Sequence, residues 1–200
     1  MKTPRAILFA LAALALLTAP AAWAQPVSAR SGPDTYLEFD LGAFLPQAKD
    51  LDAYDPGVAF SGTFGAMFSP NVGAEASVGY YRATATLRST PPLPTVDSAL
   101  GVIPVLASVR LVAPFETMEL SARAGVGIHF ASIHATAGGF SSSATDTAFG
   151  WQVGGSAAFK LSPTMLVGLD VLGTFAEAKF DGVSTHLDGI TVAVKLGYRL

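Results

Sequence analysis

The chain of 200 residues contains no cysteine. This excludes disulfide bonds and a cysteine-linked lipid anchor, even for a protein exported to an oxidising compartment. Charged residues are scarce, at 14% of the chain against about 25% in a typical soluble domain. Hydrophobic residues make up 50%, yet after residue 24 no apolar run reaches the ~18 residues that a spanning helix needs. Such hydrophobicity, spread over many short segments, is typical of lipid-exposed β-sheet.

The first 24 residues have the pattern of an export signal. Lys2 and Arg5 supply a positive start, and the apolar stretch 6–18 is too short to span a membrane as a helix. Ala22-Trp23-Ala24 then provides a cleavage site with small residues at both ends. We therefore predict cleavage after Ala24.

Removal of this signal peptide, residues 1–24, changes the charge balance. Two of the 12 basic residues are lost, which leaves 10 against 15 acidic ones and a formal charge of −5. Such a chain has no surplus of basic side chains with which to bind phosphates, so nucleic acid is not expected as a partner.

The last fourteen residues, LDGITVAVKLGYRL at 187–200, alternate strictly between two kinds of side chain. Because successive strand side chains point to opposite faces, this pattern predicts a strand with one face suited to hydrocarbon. The apolar face carries Ile190, Val192, Val194, Leu196, Tyr198 and Leu200, and the other face carries Thr191, Ala193, Lys195, Gly197 and Arg199. So long a strand needs a partner for its edge, and closure into a barrel supplies one.

Short and long connections alternate along residues 34–200. Three short turns contain proline, which presets a turn and cannot donate to a central ladder; they are 69–71, 113–116 and 162–164. The longer polar connections are 46–56, 89–99, 137–145 and 179–186. Between them we predict eight strands, at 35–45, 57–69, 72–88, 100–113, 117–135, 147–161, 164–178 and 187–200. This order matches an up-and-down barrel with tight turns at one end and longer loops at the other.

The two faces of the predicted strands are the reverse of those in a soluble barrel. In the fifth strand, apolar residues such as Leu120, Val126 and Phe130 oppose small and polar ones such as Arg123 and Gly125. A soluble carrier would turn its apolar face inward and cover its outside with charge. The pattern therefore predicts an outside in contact with lipid and a polar interior.

The alternating strands and the segment Val194-Lys195-Leu196-Gly197-Tyr198-Arg199-Leu200 resemble the small outer membrane β-barrel superfamily, which includes the OmpA transmembrane domain, OmpX and OmpW. The resemblance implies an all-β, eight-stranded antiparallel up-and-down transmembrane β-barrel at 34–200 in the bacterial outer membrane, preceded by a short N-terminal periplasmic segment at 25–33. Outer membrane lipids are the implied partners.

The C-terminal segment is similar to the signal that the barrel assembly machinery recognises during biogenesis. The resemblance assigns this role to Val194, Leu196, Gly197, Tyr198 and Leu200. Leu200 stands where an aromatic residue is usual in the family.

Ten charged side chains fall on the predicted inward face. They are Glu38, Asp40, Glu75, Glu119 and Asp170 with Arg110, Arg123, Lys160, Lys195 and Arg199. Five charges of each sign are what a closed, paired interior needs, because an unpaired buried charge costs several kcal/mol. We expect a structural plug in which Lys195 meets Glu38 or Asp40, since the first and last strands must pair to close the barrel.

The same resemblance implies a non-enzymatic structural or surface-interaction role. The alternative is transport of small hydrophobic molecules, as in OmpW, through a mouth that would be lined by Phe44, Leu45, Phe140 and Phe180. Binding to an extracellular ligand or surface stays open.

A lipid A-modifying enzyme is a third hypothesis, because some barrel enzymes place serine and histidine two residues apart on one face. Here His129 and Ser132 are three apart and therefore on opposite faces, while His134 shares a face with Ser132. No catalytic residue is expected.

Asp50, Asp52 and Asp55 crowd the first long connection, and clustered carboxylates can hold calcium. The glycine and distal glutamate of an EF-hand loop are missing, so a solvated acidic loop is the favoured interpretation, although cation binding stays open. We expect no metal and no cofactor.

Overall fold

The computed structural model describes residues 34–87, 95–138, 140–180 and 182–200. The predicted signal peptide 1–24 and periplasmic segment 25–33 lie outside these residues, as do residue 88 of the predicted third strand and 89–94 of the second long connection. These parts of the sequence interpretation stay predictions.

Eight long antiparallel strands and one short strand form the described structure. They are β1 (Asp34–Pro46), β2 (Gly57–Met67), β3 (Val72–Leu87), β4 (Val96–Pro114), β5 (Met118–Ala137), β6 (Phe140–Lys160), β7 (Met165–Phe180), β8 (Val183–His186) and β9 (Gly189–Arg199). Each long strand pairs with the next, β7 pairs with β9, and β9 pairs with β1. The ring is closed, so the predicted eight-stranded up-and-down barrel is confirmed.

Two of the predicted long connections are hairpins instead of loops. β5 and β6 stay paired as far as Ala137 and Phe140, and β8 folds back on β7, with Phe180 opposite Val183. Gly138 and Gly182 have positive φ angles, which glycine adopts without strain and which tight hairpin turns require. The Ser/Thr-rich segment after Phe140 is therefore part of strand β6. Its polar composition had predicted a loop.

An apolar band surrounds the outside of the ring. On β5 the band runs from Leu120 through Val126 and Ile128 to Phe130. Ten residues at ~3.3 Å each and a strand tilt of ~40° make it about 25 Å tall, which matches the hydrocarbon thickness that such barrels span. Exposed hydrophobic side chains of β1, β2, β4, β6 and β9 continue the band around the ring.

Above this band the sheet continues with polar residues on its outer face. On β5 the outward side chains after Phe130 are Ser132, His134 and Thr136, and on β6 they are Ser143, Thr145 and Thr147. β3 to β6 thus project about 20 Å along the strands beyond the apolar band.

Pro104 lies within β4, and the ladder to β3 is interrupted there. Val78 pairs with Val105 and Tyr81 with Val102, while the residues between them are left out of the ladder. The register is the same on both sides of Pro104, so no residue is inserted and there is no bulge. The gap is local and reflects the N–H that proline lacks.

In the part of the chain that the structure describes, no helix is long and apolar enough to cross a membrane.

Candidate functional site: a charged barrel interior

Arg110 is the centre of the buried charge network. Its Nη1 lies 2.5 Å from Glu38 Oε1 and 3.1 Å from Glu75 Oε1, and its Nη2 lies 3.0 Å from Glu119 Oε1. The hydroxyl of Tyr36 also donates to Glu75 Oε1 at 2.7 Å. These groups are buried, so one guanidinium joins carboxylates from β1, β3 and β5 across the interior.

A second layer of the network lies next to the first. Lys195 Nζ is 2.9 Å from Glu38 Oε2 and 3.5 Å from Asp170 Oδ1, and it donates to Ser156 Oγ at 3.3 Å. Arg123 bonds to the other oxygen of Asp170. Lys195 thus connects β9 to β1 and β7, the two strands beside it in the ring.

A glycine on β2 makes room for this arrangement. Gly65 is directly opposite Tyr36, and a Cβ added to it would lie 2.2 Å from Tyr36 Cζ. The absent side chain lets the tyrosine ring lie across β2 and reach Glu75 on β3. Alternation alone indicated that Tyr36 points inward, but nothing in the sequence identified its partner.

The expectation was that five charges of each sign pair inside the barrel. Three of the ten predicted residues deviate from it. Lys160 lies at the turn end of β6, where Nζ donates to the carbonyl oxygen of Phe115 at 2.6 Å, so it is not part of the network. Arg199 reaches Glu119 Oε2 at 2.5 Å with 42% of its side chain exposed. Asp40 receives a hydrogen bond from Ser61 at 3.0 Å, and its nearest cationic nitrogen is Arg123 Nη2, 3.9 Å away.

The outer half of the interior is filled by apolar side chains. Phe44 and Tyr81 stack with ring centroids 4.2 Å apart, and Leu51, from the 3-10 turn Lys49–Leu51, is 1% exposed in the same cluster. Leu187 and Phe180 belong to this cluster. The connection after β1 thus folds inward and caps the barrel with its own leucine.

The four residues considered for a hydrophobic mouth are not brought together. Phe44 and Phe180 are buried in the apolar cluster, Leu45 points to the other face of β1, and Phe140 is 84% exposed at the β5–β6 turn. Their placement does not form the lining that the transport alternative requires.

The histidine–serine group on β5 is also divided between two faces. His129 points inward and is fully buried, while Ser132 and His134 point outward and Ser132 donates to the carbonyl oxygen of Gly101 at 3.3 Å. A nucleophile and its base must lie within hydrogen-bond reach, which this arrangement does not provide.

A contact between a carboxylate and a histidine helps to hold the connection after β1 in place. Asp50 Oδ2 accepts hydrogen bonds from the backbone N–H of His186 and from its Nδ1, both at 3.0 Å. We call this pair the clasp. Asp55 donates its backbone N–H to the carbonyl oxygen of Thr84 at 2.8 Å, and no group of three acidic or histidine side chains in the described ranges is placed to hold a metal.

The clasp is expected to weaken as pH rises above about 6.5. The hydrogen bond to Asp50 raises the pKa of His186, and the backbone and ring hydrogen bonds from His186 lower the pKa of Asp50. The His186 contribution is complete below about pH 6.5 and is lost as pH rises through its folded pKa. The Asp50 contribution is present above about pH 4 and is lost as pH falls through its folded pKa. The clasp is therefore tightest between these limits.

An NMR titration of the His186 ring checks this expectation. Asp50→Asn should lower the His186 pKa toward its ordinary value, while Asp52→Asn, which removes an equal charge from the same connection, should leave it almost unchanged. A His186 pKa that does not respond to Asp50→Asn contradicts the assignment.

The C-terminal residues of the implied assembly signal lie on β9 and at its end. Val194, Leu196, Tyr198 and Leu200 point into the apolar band, and Gly197 faces inward against Leu166. Recognition by the assembly machinery stays a prediction.

The sequence of the chain matches a known protein family. The family model described as "Outer membrane protein beta-barrel domain" matches residues 9–200. No curated protein sequence matches the chain significantly.

Several solved structures share the fold. OprG of Pseudomonas aeruginosa aligns with a TM-score of 0.57 at 12% identity, over 88% of this chain and 99% of that one. Neisserial surface protein A gives 0.55 at 13% identity over 83% and 97%, and the attachment invasion locus protein Ail of Yersinia pestis gives 0.53 at 15% identity over 84% and 99%. At these identities the likeness shows the fold alone.

The closed ring of eight strands and its outer apolar band agree with the family model, which covers nearly the whole chain. The predicted location in the bacterial outer membrane is confirmed by this match. The chain belongs to the outer membrane protein β-barrel family.

Proposed function

We propose that this barrel is a closed, non-enzymatic membrane anchor that presents a projecting β-sheet to an extended polypeptide outside the cell. The observation that carries the proposal is the unequal length of the two ladders of β6. Its ladder with β5 continues to Phe140, whereas its ladder with β7 ends at Gly150. Within the described residues, 140–149 therefore have no ladder to β7, and 140–146 form an edge strand above the apolar band.

Along this edge, the backbone N–H and C=O groups of alternate residues point away from β5. Lys160 donates its N–H to Thr117 at the start of β5, and Leu161 donates to Met165 at the start of β7. The β5–β6 register stays constant, so odd-numbered residues of β6 direct N–H and C=O away from β5. Among the described residues, the N–H and C=O groups of Ser143 and Thr145 have no ladder partner, so they are available to another strand.

The filled interior supports a role at the surface instead of through the lumen. Buried ion pairs occupy its inner half and the apolar cluster occupies its outer half. An eight-stranded barrel has just enough room for such side chains. Steady porin-sized conductance in planar bilayers would contradict this part of the proposal and favour transport.

Thr145→Pro tests the proposed edge. Proline removes an outward N–H while the ladder to β5 keeps its bonds, so the barrel should fold normally. Thr145→Val keeps the N–H and is the matched control. With barrels in nanodiscs and immobilised β-casein as an extended polypeptide, we expect at least a tenfold loss of affinity for the proline variant alone. Equal binding by both variants would contradict strand addition at this edge.

A further inference from the structure

A small cavity lies in the barrel interior next to Asp40. It has a volume of 40 Å³, and its polar lining includes Asp40, Thr63, Tyr81, Arg123 and Gln152. One water needs about 10–15 Å³ on this measure, so the cavity has room for a small ion together with one or two waters.

Three buried oxygens in the lining have no hydrogen-bond partner among the described residues. They are Asp40 Oδ1, Thr63 Oγ1 and the hydroxyl of Tyr81, on side chains that are 5%, 2% and 4% exposed. A buried polar atom without a partner costs about 1–3 kcal/mol, so such oxygens in native proteins usually meet a water or an ion.

The charge of the network indicates what kind of ligand this is. Five buried carboxylates face four cations, because Lys160 lies outside the network and Arg199 is the fourth. Asp40 has the weakest pairing of the five, with no cationic nitrogen closer than 3.9 Å. The interior thus carries one negative charge too many, and its least compensated carboxylate borders the cavity.

We propose that this cavity binds a hydrated monovalent cation such as K⁺, held by Asp40 with Thr63. Asp40 is the one carboxylate in the lining, and the guanidinium of Arg123 also borders the cavity. A divalent ion would need more carboxylates than this, whereas a single charge is what the network lacks. The cation completes the charge balance of the barrel interior.

Urea-induced unfolding in neutral lipid vesicles tests the site. The midpoint is measured in KCl and in choline chloride at equal ionic strength, because choline is too bulky for the cavity. For the unaltered barrel we expect a higher midpoint in KCl that rises with the K⁺ concentration. In Asp40→Asn this difference should vanish, while Asp97→Asn, which removes an exposed carboxylate of β4, should retain it.

A second variant keeps the test decisive if Asp40→Asn does not fold. Thr63→Val removes one oxygen and no charge, and it should raise the K⁺ concentration that gives half the effect roughly tenfold. Anomalous scattering from Rb⁺ in crystals should place the ion beside Asp40. Equal midpoints of the unaltered barrel in KCl and choline chloride, or an Rb⁺ peak absent from the cavity, would overturn the proposal.

Discussion

Arg110→Met is expected to lower the free energy of unfolding by about 3–5 kcal/mol. The substitution keeps much of the side-chain volume but removes the charge that contacts three buried carboxylates. Those carboxylates then repel one another in a medium that screens poorly. Unfolding by urea in lipid vesicles, followed by tryptophan fluorescence, measures the loss.

The partners that each carboxylate keeps in Arg110→Met indicate which second substitution should best restore stability. Without Arg110, Glu38 keeps Lys195 at 2.9 Å and Glu119 keeps Arg199 at 2.5 Å, while Glu75 keeps Tyr36 and a distant Arg123. Adding Glu75→Gln should therefore recover part of the stability, and a double-mutant cycle measures the coupling.

Arg199→Met is the matched control because it removes the same chemical group from the same network. Its side chain is 42% exposed at the end of the barrel, so we expect a loss of no more than about 1 kcal/mol. Equal losses for the two arginine variants would mean that burial does not set the strength of these ion pairs.

Val126→Arg is expected to cost about 2–4 kcal/mol. Val126 points outward near the middle of the apolar band on β5 and is 51% exposed. In a bilayer that exposed surface faces hydrocarbon, where a guanidinium loses its hydration. The same urea titration measures the effect, in lipids whose chains match a band about 25 Å tall.

Thr136→Arg places the same residue on the same face of β5, ten positions further along. That position lies above the apolar band, so water can solvate the new charge and the stability should change by less than about 0.5 kcal/mol. If both arginine variants are harmless, the outer face of β5 is not in lipid. If both are equally costly, the membrane boundary lies higher than Phe130.

The hairpins show how far a pattern of side chains can predict a connection. Polar residues and glycine at 137–145 favour a loop, yet the same residues alternate as a strand once the positive φ angle of Gly138 lets β6 return along β5. Local composition cannot distinguish these two outcomes, because the difference depends on whether a neighbouring strand is available for pairing. The short β8 arises in the same way, against the end of β7.

By itself the sequence determined the number of long strands, their order and the face to which each residue points. These features follow from a period of two and from turn residues, both local properties of the chain. It also determined that charges face inward within the membrane, since the other face of the strands is apolar there. What only the tertiary structure decided is which charges meet. Tyr36 reaches Glu75 across Gly65, Lys160 falls outside the network, and Asp40 is left beside a cavity. Those outcomes depend on the stagger and tilt of strands around the closed ring, which bring together residues from different strands that no local period relates.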